Sequence, residues 1–445
     1  MKGNQNLTSR LGAALCLIAG ASAQLRTTPM GPPDPEAGAK YIVGFRAGTS
    51  RADRAASVGR AGALLHFNYT IVDAAAVTVP NVNALAALGR DVSVWRITPD
   101  RAVHAIQFPG GPVGGQGKPG GGGGSAGQVV PAGVNRVRLP RNGSNGAGVG
   151  VAVLDTGIDL AHADLSVAAS KYSAFGDSCQ DKDGHGTHVT GIIAALDNKI
   201  GVLGVAPAAT PYCVKVLNNN GSGTDSTIIA GLDWVYSNPT ANPPIRVVNM
   251  SLGRDGTLDD SPDLHAAVRT LYEAGIVVVV AAGNDANKEV SQQVPATYPE
   301  VLAVASTTAA DGTNSCRSYT GEVLADTASY FTTDGRYVPH TRIGVTISAP
   351  GEDQENISKS CFLTSVGILS LKAGGGTTRM SGTSMAAPHV AGIVARMVQD
   401  FETVVVENIR GAILTGAVRK QVAPLDSPSR SYTFDGEREG IAQAP

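Results

Sequence analysis

Aromatic residues make up only 5% of this 445-residue chain and charged residues only 16%, whereas glycine occurs 55 times. That composition fits a globular protein rich in small residues and excludes the disordered and fibrous classes. Neither sign of charge dominates, since 35 Lys and Arg against 37 Asp and Glu leave a net charge of −2. Without a basic stripe, neither nucleic acid nor an anionic membrane is expected as a partner. Long apolar runs are missing too. The run LGAALCLIAGA at 11–21 is too short to span a bilayer, and no later stretch is long and apolar enough. Lys2 and Arg10 flank a polar start and ASA ends at Ala23, so residues 1–23 read as a signal segment of a secreted, extracellular protein.

Cysteine is also scarce. Beyond Cys16 in the signal segment there are Cys179, Cys213, Cys316 and Cys361, and no CxxC or CxxH spacing among them. A zinc site is therefore the weaker reading, and disulfides in an oxidising compartment the stronger. Four cysteines allow three pairings. Cys179–Cys213 with Cys316–Cys361 is favoured as the more local set.

At this length a large catalytic-sized unit plus something smaller is expected. Residues 24–39 are rich in proline and glycine and read as loose. Over 40–108, short β-like runs (Tyr41–Phe45, Ala74–Val79, Val92–Ile97) alternate with alanine-rich helical pieces, which predicts a small α+β domain. Residues 109–127 are glycine-rich and read as a flexible linker. From 128 to 445 the near-continuous apolar runs GVGVAVLD, PYCVKVL, IRVVNMSLG, GIVVVVAAGN and VLAVAST read as buried parallel strands. Helical patterns lie between them, so the expectation is an α/β fold with a doubly wound, mainly parallel sheet and helices on both faces. Sites in such sheets lie beyond the carboxyl ends of the strands, here occupied by Asp155, NNNGSG, NMSLG and AAGN. The GAGVG at 146–150 precedes its strand instead of following one, so it is no dinucleotide fingerprint, and no organic cofactor is expected.

Acyl-transfer chemistry needs a nucleophile, a base in reach, a group that fixes the base's tautomer, and donors for the oxyanion. VAVLDTGID offers Asp155, GHGTHVTG offers His185, and MSGTSMAAPHVAG offers Ser384. Each alone has a plainer reading: a strand-end cap, a structural histidine, a helix cap. Together, in the order Asp…His…Ser, their surroundings resemble the subtilisin-like serine proteases. Residues 128–445 resemble that family's catalytic domain, and residues 40–106 its inhibitory, chaperone-like propeptide. GTSMA is not G-x-S-x-G, and the chain order differs, so the nucleophile-elbow alternative fails.

The resemblance implies a secreted serine endopeptidase made as a propeptide-inhibited, self-processing zymogen and acting on polypeptides, with its own propeptide as intramolecular inhibitor and folding aid and a monomeric state. It implies that Asp155 orients His185, that His185 is base and then acid, that Ser384 attacks, and that Asn284 with the Ser384 N–H forms the oxyanion hole. Gly221, Ser222 and Gly223, with Ser251, Leu252 and Gly253, would be the two edges that pair with an extended peptide. Ala281, Ala282 and Gly283 would wall the primary pocket, and Asp285 beside it would favour basic side chains. A structural Ca²⁺ would be held by the carbonyls of Leu196, Ile200 and Val202 and the side chains of Gln128, Asp164 and Asn198, hard oxygen donors suited to that ion.

Two competing classes make distinct predictions. A silent scaffold with this ancestry would have lost one of Asp155, His185, Ser384 or Asn284, and none is lost. A metal hydrolase built on His185 and His188 needs a third ligand, which the neighbourhood lacks; His188 and His389 are expected as buried packing residues. The stretch 314–344 is longer than expected between strands and reads as a surface hairpin stapled by Cys316–Cys361. The linker is long enough for Gln128 to reach the ion loop before the chain is cut, with the cut near VHAIQF and a glycine tail left on the mature enzyme.

Overall fold

A computed structural model describes residues 38–106, 127–137, 143–418 and 439–445. The signal segment 1–23, the loose segment up to residue 37 and nearly all of the linker lie outside the described residues. All described residues belong to one unit, Pro35–Pro445.

The N-terminal part runs β1 (Ala39–Phe45), α1 (Arg51–Arg60), β2 (Leu64–Asn68), β3 (Ala74–Val79), α2 (Val82–Arg90), β4 (Val94–Pro99) and a short β5 (Ala102–Ala105). Strands β1–β4 form an antiparallel sheet in the order β2-β3-β1-β4. Strand β2 was not expected: LLHFN alternates weakly between exposed and half-buried positions and carries little period-2 signal.

The larger part begins with α3 (Ala132–Val137), β6 (Gly150–Asp155), β7 (Tyr172–Ser173), α4 (His185–Ala194), β8 (Thr210–Lys215), β9 (Ser222–Thr224), α5 (Asp225–Tyr236), β10 (Ile245–Met250) and β11 (Leu252–Asp255). It continues with α6 (Pro262–Glu273), β12 (Val277–Ala281), β13 (Gln293–Val294), β14 (Leu302–Thr308) and β15 (Ile347–Glu352). The antiparallel hairpins β16 (Gln354–Ile357) with β17 (Leu363–Val366) and β18 (Ile368–Leu371) with β19 (Thr377–Met380) follow, then α7 (Thr383–Met397) and α8 (Val406–Gly416). Seven strands form the central sheet in the order β15-β14-β12-β10-β6-β8-β7, and every pairing is parallel.

Side-chain parity explains why these strands read as unbroken apolar runs. Val277, Val279 and Ala281 face a core shared with α4 and α7, while Val278, Val280 and Ala282 face a core shared with α5 and α6. Both faces are covered, so both parities must be apolar. Each such valine contributes about 1.5–3 kcal/mol on burial. The N-terminal sheet uses the same logic on one side: Ile42, Ala74 and Ala76 join the α5–α6 core, and Val43, Ala75 and Val77 pack under α1 and α2.

Both favoured disulfides form, Cys179–Cys213 and Cys316–Cys361. The expected 314–344 surface hairpin does not. Ala328, Tyr330 and Phe331 are buried and a bridge from Thr307 to Ala328 ties the segment to β14, because its apolar and hydroxyl residues fill space beside that strand. The hairpin lies later, at β16–β17, with Cys361 in its turn.

Polar contacts lock the N-terminal sheet to α5 and α6. Arg96 forks onto buried Asp263 at 3.0 and 2.5 Å. Asp233 accepts the Thr70 and Ile71 N–H groups at 2.8 and 2.7 Å, and Asp100 accepts from Ser226 N and Oγ at 2.9 and 2.7 Å. Truncating one partner of a buried, hydrogen-bonded charge pair costs about 2–5 kcal/mol. The full-length Asp263→Ala chain is therefore expected to expose β1–β4 amides to hydrogen exchange about 30-fold faster or more; unchanged exchange would show that Arg96–Asp263 contributes nothing to docking.

Candidate active site

Asp155 ends β6, and His185 opens α4, whose N-terminal turn crosses the end of that strand. The helix can come this close because residue 186 is glycine: a Cβ there would lie 2.1 Å from the Gly157 carbonyl and 3.1 Å from Asp155 Cβ. His185 Nδ1 donates to Asp155 Oδ1 and Oδ2 at 2.8 and 3.0 Å, with both residues fully buried. Burial opposes charging of the imidazole, but Asp155, Asp183 and Asp181 outweigh it and raise its pKa above 6.5. His185 Nε2 is buried and has no hydrogen-bond partner among the described residues.

Ser384 is the second residue of α7, directly after Gly382 and Thr383. It is buried, and its hydroxyl donates to the Ser251 carbonyl at 3.0 Å instead of to His185. Asn284 follows β12. Its Oδ1 accepts from both Thr383 N and Thr383 Oγ1 at 2.9 Å, which turns its Nδ2 toward the cleft, where it donates to the Ile106 carbonyl at 3.2 Å. Thr383 was missed from the sequence as the group that orients this amide; its one sequence signal is its position beside Ser384.

The Ile106 carbonyl is there because β5 fills the cleft. It is an inner strand of a four-stranded antiparallel sheet, order β13-β11-β5-β9. On one side Val103 and His104 pair with Gly223 and Ser222, and Ala105 N donates to Gly221 O at 2.9 Å. On the other side Ala105 and His104 pair with Leu252 and Gly253, and Ile106 N donates to Ser251 O at 3.3 Å. The two glycine-bearing edges thus hold an extended chain between them. Ile106 lies over Gly253, where a Cβ would come within 2.9 Å of its Cδ1.

Ala281 and Ala282 face opposite cores, and only the core of Ala281 is the one on which Ile106 packs. Gly283 sits at φ +123° and donates to Thr383 Oγ1 at 3.2 Å. Asp285 lies 3.3 Å from Lys288 and is already ion-paired.

His188 and His389 are buried packing residues. His188 Nε2 donates to the Ile368 carbonyl at 3.0 Å, and burial, with His185 nearby, brings its pKa down to about 3. His389 Nδ1 donates to Met385 O at 2.7 Å, and burial lowers its pKa to about 4. Among the described residues no three His, Cys, Asp or Glu side chains converge as a metal site.

The loop after α4 offers oxygen instead. The Gln128 carboxamide meets the carbonyls of Leu196 and Val202, and Gln128 N and Val129 N donate to Lys199 O and Gly201 O at 3.0 and 2.9 Å. Asp164 Oδ2 accepts Val202 N at 3.0 Å, while Asp164 Oδ1 is buried with no hydrogen-bond partner. Burial raises the Asp164 pKa. Asn198 Oδ1 accepts Ile200 N at 3.1 Å at the loop's outer edge. An orphaned buried carboxylate oxygen beside converging carbonyls fits a hard cation, and rotating the Gln128 amide by 180° presents oxygen at the same point.

Residues 146–434 match the model of the subtilase family. Subtilisin amylosacchariticus from Bacillus subtilis subsp. amylosacchariticus is 34% identical over 374 residues, spanning 82% of this chain and 81% of that protein. Subtilisin DY from Bacillus licheniformis is 35% identical over 296 residues, 65% of this chain and 92% of that one. Among solved structures, fervidolysin from Fervidobacterium pennivorans, described as a keratinolytic enzyme related to subtilisin, superposes with a TM-score of 0.66 at 22% identity. That match covers 93% of this chain and 61% of the fervidolysin chain, and carries the fold. The chain belongs to the subtilase family and is a subtilisin-type serine endopeptidase.

Proposed function

We propose that this chain is a secreted zymogen that cuts itself after Ile106 and then hydrolyses polypeptides through Asp155, His185 and Ser384. The observation that carries this reading is the hydrogen bond from Asn284 Nδ2 to the Ile106 carbonyl, made by a chain already paired to both cleft edges. A rotation about its Cα–Cβ bond takes the Ser384 hydroxyl from Ser251 O toward that carbonyl carbon. Its proton passes to the vacant His185 Nε2, and Asp155 holds Nδ1–H and stabilises the imidazolium. The oxyanion forms where Asn284 Nδ2 and the Ser384 N–H donate. Collapse expels the amine, which takes the proton from His185, and water then releases the acyl group from Ser384 by the same steps.

Secretion is supported by the signal-like start and by two disulfides, which persist in oxidising compartments. Ca²⁺ would sit among Gln128, Asp164, Asn198 and the carbonyls of Leu196, Ile200 and Val202, and would neutralise the orphaned Asp164 oxygen. Gln128 is docked on that loop while Ile106 is still in the cleft. Ion binding therefore does not wait for cleavage.

Four measurements test these steps. A serine-directed phosphonate should label Ser384 in processed, calcium-replete protein; absence of labelling counts against the hydrolase. N-terminal sequencing of secreted protein should start at Gln107, and a start only at Gly127 or Gln128 would refute the retained tail. Because neutral His185 is the base and its pKa is raised, kcat/KM should fall as pH drops through a value above 6.5; an acid limb centred below 6 would contradict the buried Asp155 partnership. Finally, the uncleavable Ser384→Ala precursor should gain about 2.7 kcal/mol of thermal stability at a hundredfold excess of Ca²⁺ over its Kd. Asp164→Asn in that background should lose most of the gain, and equal gains in both would remove Asp164 from the site.

A further inference from the structure

We propose that Lys215 is a positioning residue of the triad, its buried ammonium holding the Asp155–Thr156 turn in place and offsetting the acidic residues gathered around His185. This rests on the protease reading above and adds a group to its machinery.

Lys215 puts a charge where its strand is otherwise apolar and buried. It closes β8, in which Pro211, Tyr212, Cys213 and Val214 are buried, and it is itself fully buried. Parallel pairing sets it beside Asp155 at the end of β6. Val153 and Cys213 face the core shared with α4, while Leu154 and Val214 face the other core. One residue further along both strands, Asp155 and Lys215 therefore project on the α4 face, from strands about 4.8 Å apart.

The ammonium donates to the Thr156 carbonyl. Thr156 spends its other polar atoms on the triad's surroundings. Its N–H donates to Asp155 Oδ1 at 2.7 Å, and its hydroxyl donates to Asp181 Oδ1 and accepts the Gly186 N–H, both at 2.9 Å. One residue thus joins the orienting carboxylate to the first turn of α4, and Lys215 grips that residue from the neighbouring strand.

The charge matters as well as the bond. Burial lowers the Lys215 pKa, and Asp177, Asp181, Asp155 and Asp183 oppose that fall. Three of those four, Asp155, Asp183 and Asp181, also raise the pKa of His185. A buried ammonium is costly unless opposite charges answer it. Here it answers theirs in turn, and limits how far they favour the imidazolium. On its other side β7 contributes Ser173, which carries no charge, and Lys182 in the turn before α4 is exposed.

The test follows kcat and KM against pH for processed enzyme on acetyl-Val-Thr-Ala-Ile 4-nitroanilide, a substrate with no titrating group. Active enzyme is counted by phosphonate labelling. Lys215→Gln removes the charge and keeps a donor for the Thr156 carbonyl, whereas Lys215→Met removes both. In both variants the acid limb of kcat/KM should move to higher pH by about half a unit, because the imidazolium loses a repelling neighbour. The shift should persist near 1 M salt, since a buried charge is little screened. Lys182→Met supplies the exposed comparison, and any shift it gives should vanish at that salt. At the plateau kcat should fall about tenfold in Lys215→Met and less in Lys215→Gln, with KM unchanged because neither cleft edge is touched. A limb that stays in place in both variants, or a shift lost at 1 M salt, overturns the proposal. Wild-type labelling with no labelled protein from either variant would assign Lys215 to folding alone and overturn it too. Absence of labelling in the wild type is the separate failure of the hydrolase reading.

Discussion

Two short strand edges that face each other across the cleft, on β9 and β11, govern the rest of the site. An open edge presents unpaired N–H and C=O groups and takes an extended chain without regard to most of its side chains. In this structure β5 fills that role, and it carries the Ile106 carbonyl to Asn284 as any substrate would be carried. On the proposed reading, inhibition and substrate recognition are one interaction with two occupants. The tail holds the advantage because the β1–β4 sheet is fastened to α5 and α6 through Arg96–Asp263, Asp100–Ser226 and Asp233, so its local concentration at the cleft is high whether or not its last bond is intact. The proposed cut after Ile106 would therefore not by itself free the cleft.

The same economy appears in how the reacting groups are held. Each is fixed by backbone or by a neighbour that has no other task in the reaction. Gly186 brings the start of α4 against Asp155, Thr383 turns the Asn284 amide, and Ser251 O receives both the Ile106 N–H and the resting Ser384 hydroxyl. That last carbonyl ties nucleophile and bound chain to one atom, so the hydroxyl rests within a short rotation of its target. Preorganised donors at the developing charge are where such sites gain most of their rate, and here the donor's direction is set before any substrate arrives.

Much of this was legible in the sequence because both faces of the central sheet are covered. Apolar residues at both parities leave runs such as GIVVVVAAGN that can only be buried strands, and the polar residues that end them mark the site. The same test misses β15, since TISAPGE mixes serine, proline and glycine and its burial comes from β14 and α7 beside it, not from its own composition. It also misreads 314–344, where hydroxyl residues that would suit a surface hairpin are drawn inside by hydrogen bonds such as those of Ser306 to Ser329 and Thr332. The local disulfide pairing could be read from separation alone. Thr383 could not, because a threonine in the first turn of a helix is ordinary until its partner atoms are known.

The long stretch between Ile106 and Gln128 bears on the order of events in the proposed processing. Residues 107–127 number 21 and are rich in glycine, so by composition they reach roughly 25 Å as a random chain. Both ends are in place together: Ile106 on Asn284, and Gln128 and Val129 bonded to Lys199 and Gly201. A short connection would force a choice between them, with the ion loop completed only once the chain was cut. The loop after α4 is organised while Ile106 occupies the cleft, and α4 is the helix that begins at His185. The helix of His185 is therefore anchored at both ends, by Asp155 at one and by the Gln128–Asp164 loop at the other, with Ile106 still on Asn284.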